Sequence, residues 1–267
     1  MANFQPVIKW SGSKRSQAEK IISYFPNYDT YYEPFIGGGS IMYHIKGKRV
    51  CSDICKPLID LWQIIQNNPL YLIKEYETLW NELQEQGQEF YYSIRDKFNQ
   101  TKNPAYFLFL SRTCTNGLIR FNKKGEFNNS YHHGRKGIKP DKLHKIMIDW
   151  SNKIQDVIFV HQSYEQILHM VKSNDFVYLD PPYFNTKGMY YGTINYEEFI
   201  NFLKELNNKK VKFALSYDGI RGNTDRTVEL PKDIYVRHEY IKSGLSSFNR
   251  LRGNTEEVYE SLYLNYE

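Results

Sequence analysis

The chain has few cysteines and no long apolar run, and each shortage excludes a class of protein. Its three cysteines, Cys51, Cys55 and Cys114, are odd in number and lack a second pair. They predict reduced thiols in a cytoplasmic protein, rather than a disulfide framework or a zinc site. No apolar run approaches the roughly 20 residues of a membrane span, and residues 1–10 hold no signal-peptide core. We therefore expect neither a membrane partner nor a bound metal.

Two common nucleotide-binding signatures are also missing. The sequence has neither the Gly-x-Gly-x-x-Gly dinucleotide fingerprint nor the Gly-Lys-Ser/Thr of a triphosphate loop. It has instead a strand predicted over residues 30–35, the turn Gly37-Gly38-Gly39, and a short helix predicted over residues 41–45. A strand, a glycine turn and a helix together present backbone N–H groups to a ligand. Glu33, at the strand end, is placed to bind a cationic amino group.

Three further features indicate an adenosine-containing cofactor beside this turn. Asp53 ends the strand predicted over residues 48–53, a position from which an acid commonly binds ribose hydroxyls. Trp10 and Lys14 flank a turn of Ser and Gly, and they suit an aromatic ring or a carboxylate. Ser163 and Tyr164 follow the strand predicted over residues 157–161 and are placed to contact the cofactor base. A solvated Asp53 without a ligand is the structural alternative.

The sequence is organised around Asp180-Pro181-Pro182-Tyr183, which follows a buried strand predicted over residues 176–179. Prolines fix φ and cannot extend a hydrogen-bonded ladder, so the strand stops there. The Asp180 carboxylate and the Asp180 and Pro181 carbonyls then lie at the carboxyl end, where open α/β sheets bind ligands. Such acceptors suit the two hydrogens of a ring amino group, with Tyr183 stacked on the ring. A strand-to-turn junction with a packed tyrosine is the structural alternative.

Positive charge is concentrated in one stretch of the chain. Residues 112–145 hold nine basic and two acidic side chains, whereas the whole chain has a net charge of +5. This pattern is typical of a protein that binds a polyanion, although a solvated basic loop has the same composition. Helical spacing dominates residues 56–116, and Lys124-Gly125 predicts a hairpin or an ordered loop. Arg and Asn side chains suit base edges, and Lys side chains suit phosphates. The candidate nucleic-acid-binding residues in this stretch are therefore Asn116, Arg120, Asn122, Lys123, Lys124 and Arg135.

Taken in order, these motifs resemble those of the Dam-like DNA adenine-N6 methyltransferases over nearly the whole chain. That family has its cofactor motif first, a recognition insert next and the Asp-Pro-Pro-Tyr motif last. The segments that carry the likeness here are residues 9–15, 33–40, 52–54, 112–122 and 180–183.

The resemblance implies an α/β fold: a Rossmann-like S-adenosylmethionine-dependent methyltransferase sheet, with an antiparallel edge strand and a helical DNA-recognition insert carrying a hairpin. It implies S-adenosyl-L-methionine as cofactor, double-stranded DNA as partner and the N6 amine of adenine as acceptor. We divide the chain into a catalytic domain, residues 1–55 and 155–267, and a target-recognition insert, residues 56–154. We expect a monomer encoded by a prokaryote or a phage, with any cognate restriction endonuclease acting separately.

The resemblance also carries residues over by position. Trp10, Lys14, Asp53 and Asp180 match the family's cofactor-binding residues, and the cofactor motifs add Glu33, Phe35, Gly37, Gly39 and Ile54. Lys9, Leu118 and Arg120 match positions that read the outer base pair in members acting on GATC. The catalytic candidates are Asp180, Pro181 and Tyr183. Thr115 stands where the best-known members carry a tyrosine that wedges into the base stack. At this position the chain departs from the family's pattern, so the resemblance does not say how the DNA is opened.

Several functions share this set of acceptors. A cytosine-N4 DNA methyltransferase would use them equally well, and an RNA or protein-amide methyltransferase is a more distant alternative. A catalytically inactive, sequence-specific DNA-binding protein would keep the scaffold without the reaction. Adenine-N6 methylation of a short duplex site, with GATC as the first candidate, is the function that the resemblance favours.

Overall fold

The predicted strands pair into one sheet. The computed structural model describes residues 4–134, 136–182, 194–243 and 257–267, so Arg135 and Tyr183 lie outside the described residues. The strands are β1 (Thr30–Glu33), β2 (Lys48–Asp53), β3 (Val157–His161), β4 (Phe176–Leu179), β5 (Lys212–Arg221), β6 (Thr224–Asp225), β7 (Arg237–Ser243) and β8 (Val258–Leu264). Their order is β3-β2-β1-β4-β5-β8-β7, with β6 paired to β5. The predicted bounds of β2, β3 and β4 are confirmed.

The order of the strands creates a switch point between β1 and β4. From β1 the chain moves outward to β2 and β3, and it then returns to place β4 on the other side of β1. The five strands β3, β2, β1, β4 and β5 are mutually parallel. Their carboxyl ends therefore lie along one edge, and at a switch point that edge opens into a crevice. Glu33, Asp53 and Asp180 all end strands on this edge.

The expectation of an antiparallel strand at the sheet edge is confirmed, because the edge strand β7 pairs antiparallel with β8. The antiparallel strand β8 lies between β5 and β7, and β7 forms the edge. The side chains of the last four residues of β8 are buried. β7 supplies the second neighbour through a seven-residue antiparallel register.

The helices that the spacing of residues 56–116 predicts are present. The α-helices are α1 (Ala18–Ile22), α2 (Lys56–Asn67), α3 (Pro69–Gln86), α4 (Gln88–Thr101), α5 (Pro104–Thr113), α6 (Pro140–Lys153) and α7 (Tyr196–Asn208). Proline opens or nearly opens α2, α3, α5 and α6, because its missing N–H needs no partner in the first turn. The short helix predicted after the glycine turn is a 3₁₀ turn, Met42–His44, and a second 3₁₀ turn, Tyr164–His169, follows Ser163. No helix within the described ranges combines the length and the apolar character needed to cross a membrane.

The insert packs on one face of the sheet and shares its core. One hydrophobic cluster joins Tyr31 and Phe176 of the sheet to Phe98, Leu108 and Trp150 of the insert helices. A second cluster fills the other face, where α7 covers β4 and β5. The division of the chain at residues 55 and 155 stays a prediction.

The predicted hairpin around Lys124-Gly125 is a closed turn rather than a pair of strands. Phe121 pairs with Phe127, and Cys114 with Tyr131, as isolated antiparallel bridges. The turn is closed by the Asn122 amide, which donates to the Glu126 carbonyl at 2.9 Å. Neither side of this turn is long enough to form a strand within residues 114–131.

Candidate active site

Asp180 lies directly after β4 and is bound by a lysine from the other end of the chain. Lys14 Nζ is 2.6 Å from Asp180 Oδ1 and 3.3 Å from Glu260 Oε2. It also donates to the Gly12 carbonyl at 3.1 Å. The Lys14 side chain is only 3% exposed, so these contacts form largely away from water. Two carboxylates therefore share one ammonium.

The protonation of Asp180 suits an acceptor of hydrogen bonds. Burial raises the pKa of Asp180 from 3.8 to about 6; the Lys14 ammonium opposes the rise and the Glu260 carboxylate adds to it. Above about pH 6 the group is therefore a carboxylate, which accepts hydrogen bonds and donates none. Pro181 follows Asp180, and both residues line a cavity at the carboxyl ends of the strands.

The glycine turn after β1 packs against Trp10. Gly37 has φ +46, and a Cβ there would lie 2.6 Å from two atoms of the Trp10 indole. The Gly37 amide donates to Asp53 Oδ2 at 3.2 Å, and the Cys55 amide donates to Oδ1 at 2.9 Å. Trp62 Nε1 donates to the Gly37 carbonyl at 3.1 Å. These bonds fix the turn beside the end of β2 and aim the Asp53 carboxylate at the same crevice.

Gly39, predicted to contact the cofactor, faces the other way. With φ +66, a Cβ there would meet Met42, Trp62 and Trp150 at 3.0 to 3.3 Å. The left-handed conformation turns this residue toward the core beneath the turn. Because it has no side chain, the helices can pack closely against the sheet there.

One cavity joins the ends of β1, β2, β3 and β4. Phe35 and Tyr164 stack on each other in its wall, with ring centroids 5.3 Å apart. The Ser11 hydroxyl is buried and makes no hydrogen bond to the described residues, and it lies in the same wall. Of the predicted cofactor-binding residues, the cavity brings together Trp10, Lys14, Glu33, Phe35, Gly37, Asp53, Ile54, Ser163, Tyr164 and Asp180.

These features fit a ligand with an adenosine and an amino-acid end. Aromatic rings can flank a planar base, an aspartate can accept from ribose hydroxyls, and a lysine beside carboxylates can bind a zwitterion. The bare backbone at Gly37 and Gly38, where a Cβ would press on Trp10, permits the close approach that such a ligand needs.

Glu33 is a buried acid in the floor of this cavity. It is 3% exposed, and the Tyr31 hydroxyl donates to its Oε2 at 2.7 Å. Burial raises the pKa of Glu33 from 4.5 to about 8, although the Tyr31 hydrogen bond opposes the rise. Near neutral pH Glu33 is therefore largely protonated in the folded chain, and a cationic ligand group would favour its ionised form.

The raised pKa of Glu33 predicts that Glu33→Gln makes stability less sensitive to pH. In the folded chain the neutral acid is favoured, so its stabilising contribution is complete below about pH 4.5 and is lost as pH rises through about 8. Glutamine cannot ionise and keeps an acceptor for Tyr31. We expect the free energy of unfolding to fall less between about pH 5 and about pH 9 in the variant, as measured by urea unfolding. Parallel pH curves for the two proteins would contradict this expectation.

Most of the described DNA-binding candidates lie within residues 114–131. Arg120, Lys123 and Lys124 are exposed, as is Asn116, whereas Leu118 and Lys9 are half-buried. The Asn122 side chain is used within the turn: its Oδ1 accepts from the Lys124 and Glu126 amides at 2.9 and 3.0 Å. Thr115, at the position of the tyrosine wedge, has its hydroxyl 3.0 Å from the Ser130 carbonyl.

Sequence reasoning missed two residues that shape these regions. Asn129 is buried, and its Nδ2 donates to the Thr115 and Leu118 carbonyls at 2.9 and 2.7 Å. Glu260 reaches Lys14 from β8, as described above. An asparagine in a polar loop and a glutamate in an alternating strand carry no distinguishing signal, so only their contacts reveal them.

Comparison with known proteins agrees with the geometry. A family model described as D12 class N6 adenine-specific DNA methyltransferase matches residues 10–252. The chain is 30% identical to the type II methyltransferase M.MjaIII of Methanocaldococcus jannaschii, over 98% of this chain and 99% of that enzyme. It is 31% identical to the DNA adenine methylase of Vibrio cholerae, over 66% of this chain and 64% of that one. It is 28% identical to the type II methyltransferase M.CviBI of Paramecium bursaria Chlorella virus NC1A, over 89% and 90%.

The family model spans the glycine turn, the whole insert and the Asp180 motif. Methyltransferases of such a family use S-adenosylmethionine as their general methyl donor. The chain therefore belongs to the D12 class of N6 adenine-specific DNA methyltransferases, and it is an enzyme that methylates adenine in DNA.

Proposed function

We propose that the chain binds S-adenosyl-L-methionine in the cavity at the switch point and methylates adenine N6 at one short site in duplex DNA. The single observation that carries the proposal is the placement of Asp180. Its carboxylate lies at the end of β4, in the cavity wall, 2.6 Å from the buried Lys14 ammonium. Pro181 and the glycine turn lie in the same wall.

The cofactor would be held by residues from four strand ends. The stacked Phe35 and Tyr164, with Trp10 near the turn, supply apolar walls for its base. Asp53 would accept from the ribose, and Glu33 and Lys14 would bind the charged amino-acid end. When bound, the cofactor supplies an electrophilic methyl group on a positively charged sulfur.

The chain's own part in the reaction is to orient and activate a weak nucleophile. The lone pair of the adenine amine is delocalised into the ring, and the base is hidden in the duplex until it is flipped out. Asp180 and the Pro181 carbonyl would each accept one amine hydrogen and so turn the lone pair toward the methyl group. The amine would become acidic once it carries the methyl group, and the Asp180 carboxylate would accept its surplus proton. Tyr183, outside the described residues, is proposed to stack on the base.

The basic insert would hold the DNA. Exposed Lys123 and Lys124 suit phosphates, whose neutralisation makes binding salt-dependent, and Arg120, Leu118 and Lys9 are proposed to read bases. Asn129 supports this reading because it anchors the turn that carries Leu118. We take GATC as the first candidate site and residues 56–154 as the recognition unit. The type II names of two relatives support a separate restriction endonuclease that cuts the same site, and we propose that the methyltransferase acts as a monomer.

The test is to express the chain in a host that lacks adenine methylation and to map modified bases across the genome. We expect N6-methyladenine in one short motif, and none in cells that express Asp180→Ala at the same level. The motif identifies the recognition site, whether GATC or another.

Other outcomes would overturn the proposal in distinct ways. Methylation at cytosine N4 would change the acceptor. An unmodified genome, together with tight and specific DNA binding by the purified protein, would indicate an inactive scaffold. Equal methylation in the Asp180→Ala cells would remove Asp180 from the mechanism.

A further inference from the structure

Glu260 brings a second carboxylate to Lys14 from a strand that no cofactor motif includes. Its Oε2 lies 3.3 Å from Lys14 Nζ, and the Glu260 side chain is 17% exposed. The same ammonium contacts Asp180 at 2.6 Å. Three charged groups from residues 14, 180 and 260 therefore meet at one point, with two negative charges against one positive.

A β-bulge opposite Glu260 sets the position of its backbone. In the β5–β8 pairing, Tyr217 faces Ser261 and Ile220 faces Tyr259, so the register shifts beside Glu260. Gly219 sits in this bulge, where a Cβ would lie 2.4 Å from the Tyr259 carbonyl oxygen and 3.1 Å from Glu260 Cα. Bulges bend a strand and re-aim its side chains. Here the bulge packs directly against the segment that carries the carboxylate.

We propose that Glu260 is a positioning residue of the methyl transfer: it shares the Lys14 ammonium with Asp180, so that Lys14 orients Asp180 without neutralising it. This inference rests on the proposed role of Asp180 as the acceptor of the amine hydrogens. An Asp180 bound by an unshared lysine would be a weaker acceptor, because its charge would be offset by a full positive charge. With Glu260 present, the three groups together carry one net negative charge, which complements a cationic sulfur.

The charged groups around Asp180 determine the direction of the expected effect. Among the described residues, the titratable groups coupled to Asp180 are Lys14, Glu260, Glu33 and Tyr178. Burial raises the pKa of Asp180, Lys14 opposes the rise and Glu260 adds to it. Removing the Glu260 charge should therefore lower the pKa of Asp180, whereas loss of a purely structural side chain would not.

The test is Glu260→Gln, which keeps the shape and an acceptor oxygen but removes the charge. Binding of S-adenosyl-L-methionine is measured by calorimetry from about pH 5 to about pH 8.5, and the rate is measured on unmethylated genomic DNA. In both pH profiles, we expect the midpoint of the acid limb to move to lower pH by about 0.5 to 1 pH unit. At pH 8 we expect cofactor affinity to weaken by roughly threefold to tenfold, because an attractive charge is lost.

Matched variants separate this effect from damage to the fold. Glu257→Gln removes an exposed carboxylate that pairs with Lys242 near the start of β8, and it should leave both profiles unchanged. Glu260→Asp keeps the charge and should keep the midpoint near that of the unaltered protein. In an Asp180→Ala background, adding Glu260→Gln should no longer move the acid limb of cofactor binding, because the group whose pKa Glu260 raises is gone.

The outcomes distinguish this inference from the proposed function. Rapid methylation by Asp180→Ala would overturn the proposed role of Asp180 and the inference with it. If Asp180→Ala is inactive and the acid limb of Glu260→Gln stays in place or moves to higher pH, the inference alone would be overturned. A midpoint shift that persists in the Asp180→Ala background would assign the titration to another acid and would also overturn it.

Discussion

Replacing Asp180 by alanine is expected to abolish methyl transfer and to leave the protein folded. The substitution removes the carboxylate that would accept an amine hydrogen and the nearest acceptor for the surplus proton. Losses from such groups reach about a hundredfold to ten-thousandfold, and we expect a fall of at least about a thousandfold in the single-turnover rate. The fold should survive, because above pH 6 the buried Asp180 carboxylate is an unfavourable charge for the folded state.

Two further variants make this expectation specific. Asp180→Asn keeps the size of the side chain and one acceptor oxygen, so we expect a smaller loss of about a hundredfold. Asp60→Asn removes a surface carboxylate that pairs with Lys56 on α2, and its rate should match that of the unaltered protein. Circular dichroism and urea unfolding would check that all three variants fold. Turnover of Asp180→Ala within a few-fold of the unaltered enzyme would contradict the assignment.

The second large effect is expected from Gly37→Ala, which should sharply reduce cofactor binding. The new Cβ would lie 2.6 Å from the Cδ1 and Nε1 atoms of Trp10, closer than non-bonded atoms come. Either the indole moves away from the cavity wall, or the turn moves away from Asp53, whose Oδ2 accepts a hydrogen bond from the Gly37 amide. Both movements disturb the proposed cofactor site, and we expect affinity to fall by at least about tenfold.

Gly47→Ala is the matched control because it shares the backbone strain without the clash. Gly47 has φ +86, and a Cβ there would meet nothing within 4 Å. A left-handed conformation costs an alanine about 1 kcal/mol or more, so both variants should lose stability in urea unfolding, with a further loss in Gly37→Ala from the clash with Trp10. Only Gly37→Ala should weaken binding of S-adenosyl-L-methionine in calorimetry. Equal cofactor affinities in the two variants would show that the contact between Gly37 and Trp10 does not shape the site.

Much of the sheet could be predicted because its strands are short, apolar and sharply ended. The prolines after Asp180 stop β4 where predicted, and β2 and β3 begin and end as expected. Parallel strands bring their carboxyl ends together whatever lies between them in sequence. For that reason, the predicted cofactor residues after β1, β2, β3 and β4 could be expected to meet, and most of them line one cavity.

The features that the sequence did not predict have a common physical cause, which is that local patterns do not record distant neighbours. The place of β8 inside the sheet depends on β7, which precedes it in the chain and pairs with it over seven residues. A 3₁₀ turn replaces the helix predicted over residues 41–45 because this segment is too short to complete several α-helical turns. Gly39 resembles Gly37 in sequence, yet Trp62 and Trp150 from the insert helices occupy the space next to it.

The sequence by itself determined the chemistry of this protein: an acceptor-rich strand end at Asp180, a glycine turn, an acid at Asp53 and a basic insert, in an order that resembles one methyltransferase family. Only the tertiary structure decided which charges act together. Lys14, Asp180 and Glu260 are far apart along the chain, and they meet because β8 is inserted beside β5 and a bulge sets its register. The strength of a carboxylate as an acceptor depends on burial and on neighbouring charges, and both of these are properties of the folded chain.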